Sequence, residues 1–317
     1  HILDQVIARD CKLSKIEAIT KKEKDKILLG INKGKGNEPK SINEIFEEQV
    51  NKTPNSIALV FEEQKLTYKQ LNEKANCFAN YLISKGISNN DIVGLCLNRS
   101  IEVVVAMIGT LKAGAAYLPI DPEYPKDRIE YMANNSNCKL IFVEKNIAEK
   151  FEFNGRKEDI NNQEIYNYSK ENLNKKDNED NLAYLIYTSG STGVPKGAML
   201  KRIGLKNLIF AMNKVVKYNE VKSIVAVGTI SFDITILEII IPLMFGMKVI
   251  VANNNQKMLP TELDKLIKKH SIEMIAIVPS RMEMLLNENC KEINSLKKIL
   301  LGGEAFSGKL YEKIKSV

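Results

Sequence analysis

From residue 41 onward, short runs of β-branched and aliphatic residues alternate with longer stretches whose apolar positions recur every three or four residues. The short runs predict strands at Ser56–Phe61, Asp91–Leu97, Lys139–Val143, Leu182–Thr188, Ser223–Val227, Lys248–Ala252, Glu273–Val278 and Lys298–Leu301. Between them the spacing predicts helices around Lys69–Lys85, Ile101–Ala113, Lys206–Lys217, Asp233–Leu243, Glu262–His270 and Ser307–Lys315. Strands that alternate with helices of this length are joined by crossovers, which run neighbouring strands parallel. The predicted fold class is α/β, with mainly parallel sheets flanked by helices. No internal repeat is visible.

Local signals refine this outline. Ser41-Ile42-Asn43-Glu44 has the form of a capping box, and Ile42, Ile45, Phe46 and Val50 come after it at helical spacing. The most apolar stretch, Ile234 to Ala252, contains Glu238 and Lys248 and is broken by Pro242 and Gly246. It reads as a buried helix and strand, not as a membrane span. Residues 151–181 are polar and rich in Asn and Lys, which predicts a surface excursion. Residues 1–40 are Lys-rich and end in Gly34-Lys35-Gly36-Asn37-Glu38-Pro39, a helix followed by a linker. These two glycines lack the third glycine and preceding strand of a dinucleotide fingerprint.

Composition removes several classes. The chain has 317 residues, 44% hydrophobic and 27% charged, as a soluble globular protein does. The net charge of +7 comes mostly from Lys dispersed over every segment. A nucleic-acid face would cluster Arg and Lys with aromatics, so no nucleic-acid partner is expected. Five cysteines lie far apart without a CxxC pair, which points to reduced thiols in the cytoplasm and gives no zinc site. With only His1 and His270 there is little material for a Cys–His or Ser–His–Asp nucleophile. No signal peptide is seen, and the chain starts at His1 without an initiator Met, which reads as a piece of something longer.

The strongest chemical signal runs from Leu182 to Gly197, LAYLIYTSGSTGVPKG. An apolar strand leads into three glycines, four hydroxyl residues and a lysine. Glycines let several backbone N–H groups converge on one anion, while Thr188, Ser189, Ser191 and Thr192 add hydroxyl donors and Lys196 adds a mobile charge. This is not a Walker A loop, because the spacing to the lysine differs. The alternative for such a stretch is a flexible hinge between strand and helix.

At these residues the sequence resembles the adenylate-forming superfamily, whose loop grips the β- and γ-phosphates of ATP. The resemblance implies phosphate binding by Thr188, Ser189, Ser191, Thr192 and Lys196, with Gly190 and Gly193 shaping the turn. Three further stretches resemble core motifs of nonribosomal peptide synthetase adenylation domains. They are Leu66–Asn76, Leu111–Asp121 with Pro122, Tyr124 and Pro125 after it, and Ser231-Phe-Asp-Ile-Thr-Ile-Leu-Glu238. The first two read equally as a helix start and a tight turn at Gly114, with a mostly structural role. In the third, the resemblance gives Asp233 the substrate's α-ammonium; the plain alternative is a carboxylate complementing a helix N-terminus.

The resemblance extends to a side-chain pocket of Ile234, Leu237, Ala276, Leu300 and Gly302. None of these is charged, which predicts an uncharged substrate side chain. Ile234 and Leu237 resemble pockets for small residues such as glycine, while Ala276 leaves more room. Residues 1–40 resemble a condensation-domain tail and linker. Residues 41–317 then correspond to an incomplete large N-terminal subdomain of the adenylate-forming fold, with lobes at about 41–181 and 182–317.

Leu301-Gly-Gly-Glu-Ala305 resembles the start of the family's adenine-binding region. Three later parts of that family have no match here: the adenine stretch with its Mg2+-binding carboxylate, the ribose-binding aspartate, and the lid with its catalytic lysine. No catalytic residue and no metal ligand are therefore expected within the chain, and turnover by residues 1–317 alone is expected to be negligible. Arg202 stands where the family usually has His. The resemblance implies ATP, Mg2+ and a phosphopantetheine carrier domain as cofactors and partners, an upstream condensation domain, no membrane, and amino acid activation as the reaction. Two other readings stay open: an acyl-CoA synthetase of the same superfamily, and a non-catalytic remnant or interaction module.

Overall fold

A computed structural model describes residues 18–31, 40–174, 177–189 and 194–315. The expectations placed on residues 1–6, on Gly34 and Gly36, and on Gly190, Ser191, Thr192 and Gly193 lie outside the described residues. The chain divides into two compact units, His1–Pro39 and Lys40–Val317. In the first, Thr20 and Glu23 cap each other's backbone at the start of helix α1 (Lys21–Asp25), which continues as a π-turn over Lys26–Ile31.

The described part of the second unit contains twelve strands. They are β1 (Ile57–Phe61), β2 (Gln64–Thr67), β3 (Ile92–Cys96), β4 (Ala116–Ile120), β5 (Leu140–Val143), β6 (Arg156–Asp159), β7 (Leu182–Thr188), β8 (Lys196–Lys201), β9 (Ser223–Ala226), β10 (Lys248–Val251), β11 (Met274–Ile277) and β12 (Lys298–Leu301). They form two six-stranded sheets, ordered β12-β11-β9-β10-β1-β2 and β6-β5-β3-β4-β7-β8. Every pairing is parallel except the β1–β2 and β7–β8 hairpins.

Successive residues of each strand serve different cores. Leu59, Ile224, Ala226, Val249 and Val251 of the first sheet, and Val93, Leu95, Leu140 and Phe142 of the second, face one shared core. Their neighbours Val60, Val225 and Ile250 enter a second cluster, and Ile92, Cys96, Ile141 and Val143 a third. Both faces of each sheet are thus covered, which is why these strands read as unbroken apolar runs. Helices α2 (Ile42–Lys52), α3 (Tyr68–Ser84) and α4 (Ile101–Lys112) contribute to the shared core. In α4 every residue but Glu102 is buried, as expected of a helix apolar all round. The Ser41–Glu44 capping box is present, with Ser41 N to Glu44 Oε2 at 2.7 Å.

Three expectations need correcting. The predicted lobes do not separate the sheets: β7 and β8 complete the sheet of β3–β6, and β1 and β2 belong with β9–β12. Second, β2, β4, β6 and β8 were not among the predicted strands. β2 and β6 are polar edge strands and β8 a solvent-facing one, all held by backbone pairing, while β4 is apolar throughout but carries Pro119 and comes just after Gly114, signals that read as a turn. Third, residues 151–181 are more than a surface excursion. Ile160 and Ile165 are buried, and Asn72 and Asn76 of α3 donate to Asn172 Oδ1 and Lys170 O at 2.8 and 2.7 Å. The segment straps α3 through side chains whose polarity hid its role.

Cys77, Cys96, Cys138 and Cys290 are buried and free of disulfides. No helix among the described residues is long and apolar enough to cross a membrane.

Candidate functional site

The segment after β9 is fixed almost residue by residue. Glu238, wholly buried, accepts from Val227 N at 3.1 Å and from Gly228 N at 2.9 Å. Arg99 holds carbonyls of the same segment. Its guanidinium donates to Gly228 O and Ala226 O, and to Ala252 O at 2.6 Å. Burial pushes the Glu238 carboxyl up to about 7, against the pull of Arg99. Gly228 is required by close approach: a Cβ there would lie 2.4 Å from Ile234 Cγ2 and 2.8 Å from Glu238 Oε2.

Thr229 continues the set. Its carbonyl accepts from Thr235 Oγ1 and from Phe232 N, both at 3.0 Å, and its hydroxyl accepts from Lys257 Nζ at 3.0 Å. Ser231 Oγ lies 2.7 Å from Tyr124 Oη. Tyr124 sits just past Asp121 and Pro122, so this second motif, read in sequence as a turn, buttresses the third. The next residues form a π-turn over Ile236–Ile240, whose wider spacing sets where Leu237 projects.

A cavity of about 630 Å³ opens beside this segment. Asp233, Ile234, Leu237, Ala276, Leu300 and Gly302 all line it, although they come from three elements far apart in sequence. Ala276 and Leu300 are register partners on adjacent strands. Leu208 and Met212, from helix α5 (Arg202–Val216), help make the walls mostly apolar. Asp233 is exposed while lining the cavity. Its charge acts together with burial to raise the Tyr184 hydroxyl above the usual range, burial being the larger cause. Asp233 therefore stands near β7, the strand that leads into the hydroxyl-rich loop.

The lining also holds Lys257, Arg281 and Glu304, which sequence reasoning missed. The uncharged side chain is expected from Ile234, Leu237, Ala276, Leu300 and Gly302, but these three charged groups line the same cavity. Burial lowers the affinity of Lys257 and Arg281 for their protons. Arg281 Nε and Nη2 are buried without a hydrogen-bond partner among the described residues. Nothing in local periodicity could reveal these residues, because they reach the cavity through the way separate elements pack.

The strands on either side of the loop, β7 and β8, pair antiparallel, so the segment that comes after it is a strand and not the helix assumed by the alternative of a flexible hinge. Thr188 and Lys196 are register partners across β7 and β8, and Thr188 Oγ1 donates to Lys196 O at 3.4 Å. Thr188, Ser189 and Lys196 are exposed, and none of the three lines the cavity. Two hydroxyls and an ammonium carried where β7 and β8 end are a donor set that fits a polyphosphate.

Residues 46–317 match the family model of AMP-binding enzymes. The chain belongs to that family. Among its relatives are bacitracin synthase 3 of Bacillus licheniformis (35% identical over 99% of the chain) and tyrocidine synthase 3 of Brevibacillus parabrevis (35% over 99%). Gramicidin S synthase 2 of Brevibacillus brevis is 34% identical over 96% of the chain. The chain spans only 5%, 5% and 7% of the length of these three. Among solved structures, the nonribosomal peptide synthetase FmoA3 (S1046A) superposes with a TM-score of 0.81 at 23% identity, over 87% of this chain and 30% of that one. The N-terminal subdomain of Klebsiella oxytoca NpsA gives 0.77 at 21% identity, over 87% and 72%. These two likenesses bear out the α/β adenylate-forming fold.

Within the family the departure at Arg202 has a structural account. Its side chain is 1% exposed and pairs with Asp177 through Nη1 and Oδ1 at 2.7 Å. Nη2 donates to Leu111 O at 2.6 Å and Ala115 O at 3.3 Å. Arg202 thereby ties the start of α5 to the turn after α4.

Proposed function

We propose that the chain is the large N-terminal part of an adenylation domain that activates an amino acid in nonribosomal peptide synthesis. Residues 41–317 supply this part, and residues 1–40 are the tail of a condensation domain and its linker. The observation that carries the reading is the convergence of Asp233, Ile234, Leu237, Ala276, Leu300 and Gly302 on one cavity. A carboxylate beside apolar walls suits a ligand with an ammonium group and an apolar body.

In this reading Asp233 pairs the α-ammonium and orients the substrate. Ile234, Leu237, Ala276 and Leu300 receive an uncharged side chain, and Gly302 leaves room beside them. Thr188, Ser189 and Lys196, with Gly190, Ser191, Thr192 and Gly193, hold the ATP phosphates. When bound, MgATP supplies the electrophilic phosphorus and a pyrophosphate leaving group. Orientation matters because the carboxylate must lie in line with that phosphorus. The product is an aminoacyl adenylate, passed to the phosphopantetheine thiol of a carrier domain in the cytoplasm. The family's magnesium-binding carboxylate and catalytic lysine match no position in residues 1–317, so exchange is to be assayed on the complete synthetase.

The test is amino-acid-dependent ATP–pyrophosphate exchange by that synthetase, with fatty and aryl acids as competing substrates. Asp233→Ala is expected to cost roughly 2–5 kcal/mol in kcat/KM for the amino acid if it pairs a desolvated ammonium. A loss below about 1 kcal/mol, the scale of an exposed ion pair, refutes the assignment.

A further inference from the structure

Glu238 is a buried carboxylate that no step above uses. It has no contact with solvent, yet it lies within the segment that shapes the cavity. It is five residues beyond Asp233, one beyond Leu237, and bonded to the two peptides that close the cavity at Val227 and Gly228. Arg99 holds Gly228 on its other side, through the carbonyl. Gly228 in turn touches Ile234, since even a methyl group there would overlap Ile234 Cγ2. The chain of contact from Glu238 to the pocket side chains is thus direct, and a carboxylate placed only to stabilise a core could sit anywhere in it.

We infer that Glu238 is a positioning residue for the amino-acid subsite, setting through Gly228 where Asp233, Ile234 and Leu237 stand around the cavity. The inference rests on the amino-acid reading of that cavity. Burying an ionisable group is costly unless it is fully hydrogen-bonded, and three N–H contacts to one carboxylate define the geometry of both segments closely. The ATP side is carried by the separate β7–β8 hairpin, so the effect is confined to one substrate.

The experiment compares Glu238→Gln and Glu238→Ala with the unaltered synthetase in steady-state exchange, varying amino acid and ATP separately. Expected is a rise in KM for the amino acid of about tenfold for the Gln variant and more for Ala. KM for ATP and kcat are expected to stay within about threefold. Should Glu238→Ala fail to fold, the isosteric Gln variant keeps the test intact. A folded Gln variant with unchanged amino-acid KM, or with both KM values moved alike, overturns the inference. Asp233→Ala run alongside separates the two levels. If it too leaves the amino-acid KM unmoved, the reading of the cavity fails; if it alone raises KM, only the role of Glu238 fails.

Discussion

Replacing Arg202 tests the packing of the fold without reference to any ligand. Arg202→Met keeps much of the aliphatic volume and removes the guanidinium. Asp177, 5% exposed, would then be a buried carboxylate without its ion partner, and Leu111 O and Ala115 O would lose their shared donor. Removing one member of a buried pair costs about 3–5 kcal/mol, because the surviving charge stays desolvated. Roughly 4 kcal/mol in a unit of this size corresponds to a fall in Tm of about 10 °C. Replacing both partners, Arg202→Met with Asp177→Leu, should recover most of this, since neither charge then needs solvating. The assay is chemical denaturation of the single and double variants, read as a double-mutant cycle. A single-variant loss below about 1 kcal/mol would refute the reasoning, placing the pair with exposed ion pairs.

Three other outcomes are expected from the same geometry. The Glu238 carboxyl, raised by burial from 4.5 to about 7, keeps its proton in the folded state over a range where the unfolded chain has lost it. Stability should therefore fall as pH rises from about 4.5 to about 7, by on the order of 3 kcal/mol, and level off above; Glu238→Gln should flatten that part of a denaturation-against-pH curve. Gly228→Ala forces a methyl group against Ile234 and Glu238 and should cost about 2 kcal/mol in thermal unfolding. Asn76→Ala leaves Lys170 O without its donor and removes one of the donors to Asn172 Oδ1, which keeps Asn72 Nδ2; it should cost about 1–2 kcal/mol, with faster amide exchange confined to residues near 165–172.

The sequence by itself determined the alternation of strands and helices and the parallel character of the sheets, and it marked the segment around Asp233. Each is a local or periodic property: apolar runs where both sheet faces are covered, a capping box at Ser41, a motif around Asp233. Tertiary structure alone decided the rest. It paired the hairpin of β7 and β8 with β4 instead of with the strands that come later in the chain, and it recruited polar edge strands that carry no hydrophobic pattern. It turned the Asn-rich stretch into a strap and brought Lys257, Arg281 and Glu304 to the cavity. The sequence marks Arg202 as a departure and Glu238 as a charge in an apolar run, but only the packing gave them their charged partners. Periodicity reports which face of an element is apolar, but which polar group meets which depends on the packing of elements distant in the chain.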